Sequence, residues 1–295
     1  MNKEQLLRMK EGKGFVAALD QSGGSTPKAL RLYGVSEDEY KNDEEMFEKV
    51  HEMRTRIIKS KPFNSDRILA AILFKNTMNS KIDGKFTADY LWEEKGIVPI
   101  LKVDEGLAPL EKGSQLMKEM KSLDELLKQG KERNIFGTKM RSLIKTYDEE
   151  MIEKVVAQQF DYAKKIAAAG FVPIIEPEVD INSPEKEKIE DKLYDCVVKE
   201  LKALSKDTLV MFKFTIPTKK NLFKDLYEFP QVVRIVALSG GYTREKSNEL
   251  LAQNEGMIAS FSRALTEGLN INQSDEEFDK LMDESIESIY QASIK

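Results

Sequence analysis

Four charged residues, Lys102, Lys139, Glu176 and Lys213, recur 37 residues apart, each at or near the end of an apolar run: VPILKVD, NIFGTKMR, FVPIIEPE and TLVMFKFT. A lone charge on a buried strand is costly unless it is paired or used, so four at one recurring depth imply strand ends converging on a polar site. Side chains at i and i+2 of a strand share a face. Lys139 therefore points with Arg141, and Glu176 with Glu178. On neighbouring strands the two pairs set two cations beside two carboxylates, and Lys213 arrives from the next strand on the other side of Glu176. Such a grouping is a proton-transfer site that contains amines. Nearby positive charge and desolvation both disfavour an ammonium ion, so Lys213 or Lys139 is a candidate neutral nucleophile for Schiff-base chemistry. The competing reading is a structural layer of ion pairs inside a barrel.

Two further segments have the residues to hold anions. LSGGYT places Ser239, Gly240 and Gly241 where backbone N–H groups can approach a phosphate, and SFSRAL supplies Arg263. ALDQSGGSTPKAL gives Asp20, the hydroxyls of Ser22 and Ser25, and the pair Gly23 and Gly24. Two anion sites suggest a substrate phosphorylated at both ends.

Eight short apolar runs must position these groups, at 14–20, 67–74, 97–104, 135–141, 171–178, 208–214, 232–238 and 256–262. Charged segments of helical period separate most of them, such as EEMIEKVVAQQFDYAKKIAAAG and EKEKIEDKLYDCVVKELKAL. Strands this apolar have no solvated face, which favours a parallel (β/α)8 barrel over a sandwich; an open doubly wound sheet is the alternative. A barrel places its site at the carboxyl ends of its strands, with phosphate commonly held after the seventh and eighth. Gly170 should close one helix before its strand, Asn42 or Asp43 should open another, and Asn182 or Ser183 with Pro184 a third. No linker or low-complexity stretch interrupts the chain, so residues 1–295 are expected to form one catalytic domain.

Composition narrows the function. A net charge of −5 without a long basic run argues against nucleic acid or acidic lipid as partner. No 18-residue apolar run occurs and MNKEQLLRMK lacks the features of a signal peptide, so a cytoplasmic location is expected. His51 is the only histidine, and metal catalysis is not expected without a cluster of histidine, cysteine or carboxylate ligands. Cys196, the only cysteine, lies on a helix-like segment and reads as an inert packed thiol.

In their order along the chain, AALDQSGGS, LKVDEGL, FGTKMR, PIIEPE, the lysine of VMFKFT, LSGG and SFSRAL resemble the class I, Schiff-base fructose-1,6-bisphosphate aldolases, particularly the short bacterial members, from about Gly14 to Asn272. The resemblance implies a TIM barrel that reversibly cleaves fructose 1,6-bisphosphate to dihydroxyacetone phosphate and glyceraldehyde 3-phosphate in glycolysis or gluconeogenesis, with no metal. It implies that Lys213 forms the imine, that Glu176 is the acid/base for dehydration, that Lys139 assists proton movement, and that Asp20 activates the hydroxyl whose deprotonation breaks the carbon–carbon bond. Glu178, Arg141 and Lys102 match the surrounding polar shell. Ser239, Gly240 and Arg263 resemble the binders of one phosphate, and Ser22, Ser25 and Lys102 those of the other. The departures are Gln21 where many animal members have glutamate, Ser262 where they have glycine, no matched arginine on the first helix, and an ending YQASIK without a terminal tyrosine. Protonation of the enamine then falls to Glu176 or Glu178, with Tyr242 and Tyr290 as further candidates. A transaldolase or keto-acid aldolase is the nearest competing activity, and a noncatalytic scaffold on the same barrel the competing class. The oligomeric state is open.

Overall fold

The computed structural model describes residues 2–295. Each apolar run falls on a strand that is almost wholly buried, three of the strands extending past the run: β1 (Phe15–Leu19), β2 (Ile68–Leu73), β3 (Val98–Lys102), β4 (Gly137–Ile144), β5 (Val172–Val179), β6 (Val210–Thr215), β7 (Val232–Leu238) and β8 (Ile258–Phe261). Strands buried on both faces need neighbours at both edges and helices outside, which a closed parallel sheet provides. They pair in parallel in chain order, and β1 lies between β2 and β8, so the barrel closes and the open-sheet alternative falls.

Two apolar layers result. Val16, Ala70, Ile100, Ile174, Met211 and Val236 fill the interior, while Phe160, Phe212, Phe214 and Phe223 belong to the thicker layer between barrel and helices. Helices begin where the sequence supplies caps: the side chain of Asn42 accepts from Glu45 N at 2.9 Å, and that of Asp148 from Met151 N at 2.9 Å. The helix Glu149–Ala168 ends before Gly170, whose φ of 92° suits glycine. The helix expected to open at Asn182 or Ser183 starts instead at Lys186. Asp180 accepts from Asn182 N at 2.9 Å and Ser183 O from Lys186 N at 3.2 Å, so these polar residues spend their hydrogen bonds on turns. Between β6 and β7 there is only a 3-10 turn, Lys224–Glu228.

The N-terminal helix Lys3–Glu11 closes the barrel's amino-terminal end. Met9, fully buried, and Leu6 pack into the interior cluster. Arg234 on β7 donates to the carbonyls of Met9 (2.8 Å), Lys10 (2.8 Å) and Gly12 (3.0 Å), satisfying the free carbonyls at that helix end.

The equal sequence spacing does not give equal depth. Lys102 is in register with Lys139, but Glu176 is opposite Arg141, two residues farther along β4. A shift of two preserves the inward face, so Lys139, Arg141, Glu176 and Glu178 still share the interior at staggered heights.

Candidate active site

The carboxyl end of the barrel opens into a cleft of about 1150 Å3. At its floor Asp20, Lys139, Glu176 and Lys213 form an alternating row of charges. Lys139 Nζ lies 2.6 Å from Asp20 Oδ2 and 3.0 Å from Glu176 Oε2, and Lys213 Nζ lies 3.1 Å from Glu176 Oε1. None of the four is more than 8 % exposed. The backbone of Glu176 is held from outside by Gln159, which accepts from Glu176 N (2.8 Å) and donates to Ser142 Oγ on β4 (3.1 Å). Although Glu176 Oε2 is within ion-pair distance of Lys139, no donor is aligned with it, and a lone pair stays available.

Burial opposes the charge on Asp20, Glu176 and Lys139, and the opposite charges decide the balance. Asp20 is held far below the usual carboxylate range because Lys139 and Lys213 outweigh its desolvation. Glu176 is lowered in the same way by Lys139, Lys213 and Arg141. Lys139, desolvated but touching two carboxylates, is held above the usual lysine range. Of the two candidate neutral amines, Lys139 is the one whose contacts oppose that role: its neighbours are two anions, and they favour the charged form.

The walls hold the remaining candidates. Arg141 Nε is paired with Glu178 Oε2, and both line the cleft. Lys102 Nζ is bound by Asp104, through Oδ1 at 2.7 Å and the backbone carbonyl at 3.1 Å. Asp104 went unremarked in the sequence, although two residues after Lys102 the strand alternation places it on the same face. Ser239 and Gly240 line the cleft beside Arg263. Gly240 has φ 63° and leaves no room for a side chain, since a Cβ would stand 2.5 Å from Ile181 Cγ2. Gly241 does not line the cleft, but a Cβ there would stand 3.5 Å from Arg263 Nη2, so the glycine turn and the arginine meet. In the loop after β1 Ser22 is half-buried and Ser25 exposed, and Ser25 Oγ already donates to Ser22 O at 2.8 Å. Counting all lining residues, eight lysines and arginines face five carboxylates, in a chain whose net charge is −5.

Arg54 is a buried cation that sequence reading missed, because a lone arginine in DEEMFEKVHEMRTRIIK looks like a surface residue of an amphipathic helix. It is 1 % exposed and donates to Thr77 Oγ1 and Gln21 O, both at 2.6 Å. Tyr242 and Tyr290 do not line the cleft, and Tyr290 packs on the outer apolar layer. His51 Nε2 sits 2.9 Å from Lys81 O. Burial pushes the Cys196 thiol up to about 11. Among the described residues no group of three or more histidine, cysteine or carboxylate side chains has a metal-binding arrangement, and no helix is long and apolar enough to cross a membrane.

A family model for class I fructose-bisphosphate aldolase matches residues 4–222. The chain belongs to this family. It is 61 % identical to the fructose-bisphosphate aldolase class 1 of Clostridium acetobutylicum over 294 residues, spanning all of both chains. The structure of Plasmodium falciparum fructose-bisphosphate aldolase in complex with TRAP and a small-molecule inhibitor superposes with a TM-score of 0.76 at 20 % identity, covering 99 % of this chain and 95 % of that one. A Corynebacterium glutamicum structure superposes at a TM-score of 0.54 and 10 % identity, with 99 % and 92 % covered. At these identities the two structures speak for the barrel alone. The family model stops short of β7 and β8, yet those strands close this aldolase-family barrel and lead into Ser239 and Arg263.

Proposed function

We propose that the protein cleaves fructose 1,6-bisphosphate reversibly into dihydroxyacetone phosphate and glyceraldehyde 3-phosphate, with Lys213 as the imine-forming amine. One asymmetry carries the assignment: Lys139 touches two carboxylates, whereas Lys213 touches only Glu176, at 3.1 Å. This asymmetry favours Lys213 over Lys139, because an amine can attack only after losing its proton.

The chemistry then follows from the row of charges. Lys213 passes a proton to Glu176 as its nitrogen adds to the C2 carbonyl. Glu176, now protonated, returns that proton to the carbinolamine hydroxyl, which leaves as water and gives a protonated imine. Asp20 takes the proton of the C4 hydroxyl, the C3–C4 bond breaks, and its electron pair is delocalised into the imine as an enamine. Lys139, charged and between Asp20 and Glu176, stabilises both carboxylates through these transfers. The proton that Asp20 took passes by way of Lys139 to Glu176, or is replaced from solvent at Glu178, for reprotonation at C3, and hydrolysis of the imine releases the second product. Ser239, Gly240 and Arg263 hold one phosphate. For the other, Ser22, Ser25 and Lys102 are the candidate ligands, with Lys102 having to exchange Asp104 for the anion.

This reading takes residues 1–295 as one catalytic domain in the cytoplasm, acting on a phosphorylated sugar without metal or cofactor, since the imine nitrogen supplies the electron sink. A transaldolase or keto-acid aldolase would use the same amine, but the surplus of cations around the cleft favours a bisphosphate. Incubation with dihydroxyacetone phosphate and sodium borohydride is expected to leave one stable adduct at Lys213, located by peptide mass spectrometry. An adduct at Lys139 would reverse the assignment, and cleavage activity without any lysine adduct would remove the mechanism.

A further inference from the structure

Arg54 is buried without a carboxylate partner in contact. Its guanidinium makes hydrogen bonds to three neutral acceptors: Thr77 Oγ1 (2.6 Å), Gln21 O (2.6 Å) and Gln21 Oε1 (3.1 Å). Burying an arginine against neutral groups is unfavourable compared with an apolar residue, so its role is sought in what it forces on those groups.

The guanidinium can only donate. The amide of Gln21 must therefore turn its oxygen toward Arg54, which fixes the orientation that an isolated glutamine leaves open. Its nitrogen then faces the other way and donates to Ser262 Oγ at 2.6 Å. With that oxygen accepting from Gln21, the hydroxyl proton of Ser262 has to point elsewhere, and among the described residues no acceptor takes it. Gln21 and Ser262 both line the cleft, with Arg263, Ser239 and Gly240. A hydroxyl whose proton is uncommitted, next to an arginine and a glycine turn, suits a phosphate oxygen, which accepts.

We propose that Ser262 is a further phosphate-binding hydroxyl of this site, its proton directed into the cleft by a one-way hydrogen-bond relay from Arg54 through Gln21. Ser262 touches the phosphate; Arg54 and Gln21 are positioning residues. The relay also joins the loop after β1, which carries Asp20, to the loop after β8, which carries Arg263, so the carboxylate that acts on the sugar and the cation that holds its phosphate share one frame. The inference rests on the aldolase reading above.

The test is a set of variants assayed for fructose 1,6-bisphosphate cleavage. Ser262→Ala is expected to raise KM roughly 10- to 100-fold, the range for a hydrogen bond to a charged group, with the effect larger on KM than on kcat. Arg54→Met removes the donors at similar length and is expected to raise KM in the same direction. In the Ser262→Ala background it should add little, because the relay then has no hydroxyl to direct. Gln21→Met breaks the relay at a part-buried residue and gives the same comparison should Arg54→Met not fold. An unchanged KM in Ser262→Ala overturns the proposal, and so does an equal loss from Gln21→Met in both backgrounds. Borohydride trapping on the unaltered enzyme separates the levels: with the Lys213 adduct present, a negative variant result sinks only the relay, whereas its absence sinks the functional reading.

Discussion

Two buried clusters of lysine and glutamate differ in what they leave unused. Lys186 and Glu190 sit outside the barrel on the helix Lys186–Ala203, and every strong bond is taken: Lys186 Nζ donates to Glu190 Oε1 (2.5 Å), Ile216 O (2.8 Å) and Thr218 Oγ1 (3.1 Å), while Glu190 Oε2 accepts from Thr218 N (2.9 Å). Lys139, Glu176 and Lys213 are as deeply buried, yet their contacts are ion pairs without aligned hydrogen bonds, and Glu176 Oε2 is unfilled. Saturation makes the first cluster a clasp between a helix and the segment after β6. The second has capacity left for a substrate, so the competing idea of a purely structural ion-pair layer fits the clasp and not the floor of the cleft.

The sharpest way to break this comparison is to remove the amine proposed to form the imine. Lys213→Met is expected to abolish turnover and the borohydride adduct while circular dichroism still shows a folded barrel. Glu176→Gln should cut kcat by roughly 100- to 10,000-fold, the usual reach of general acid–base catalysis, as measured by steady-state cleavage. Next come the stability losses. Lys186→Met strands Glu190 and should cost about 3–5 kcal/mol in urea unfolding, with kcat of the folded fraction retained. Lys139→Met, which strands Asp20 and Glu176, should cost at least as much stability and kcat as well. If Lys186→Met instead abolished kcat, the division into clasp and catalyst would be wrong.

Acid adds a smaller and graded effect. Asp20 and Glu176 are depressed in the folded state, so they stabilise it fully above the ordinary carboxylate range, about pH 4, and that stability is lost as pH falls toward their lowered values. Lys139 is raised, so its contribution is complete below the ordinary lysine value, about 10.4, and is lost only as pH rises beyond it. Urea midpoints should therefore drop as pH falls below about 4, and the drop should be shallower in Lys139→Met, where the two carboxylates lose their main counter-charge. At the phosphate end, Arg263→Ala should weaken binding by about 1.5–3 kcal/mol, read as a rise in KM. The smallest effect is none at all: activity should survive EDTA, and loss on chelation with recovery on adding zinc would refute the imine mechanism.

The barrel was legible because buried parallel strands leave uninterrupted apolar runs, and all eight were found. Strand parity and the recurring charges also located Lys139, Arg141, Glu176, Glu178 and Lys213 on one interior. What parity cannot give is height, since register is set between strands, and so Glu176 sits opposite Arg141 and not Lys139. Nor can it give the local ratio of carboxylates to amines, which is why a charged Lys139 was read as a candidate neutral one. Arg54 was hidden for a third reason. Its helix carries arginines and lysines on several sides, and only the packed loop Gln21–Ser22 makes one of them interior.

The helix that plugs the amino-terminal end of the barrel has a consequence for synthesis. Its docking sites come from β7, through Arg234, and from an interior that exists only when β1 has met β8, at Val16 and Ser260. Residues 3–11 leave the ribosome more than 200 residues ahead of those partners, which at 5–20 residues per second is roughly 10–45 s. During that interval Leu6 and Met9 have no barrel to enter, so this helix emerges well before the strands that seat it, and a nascent chain arrested before residue 234 should present it to any chaperone or protease nearby.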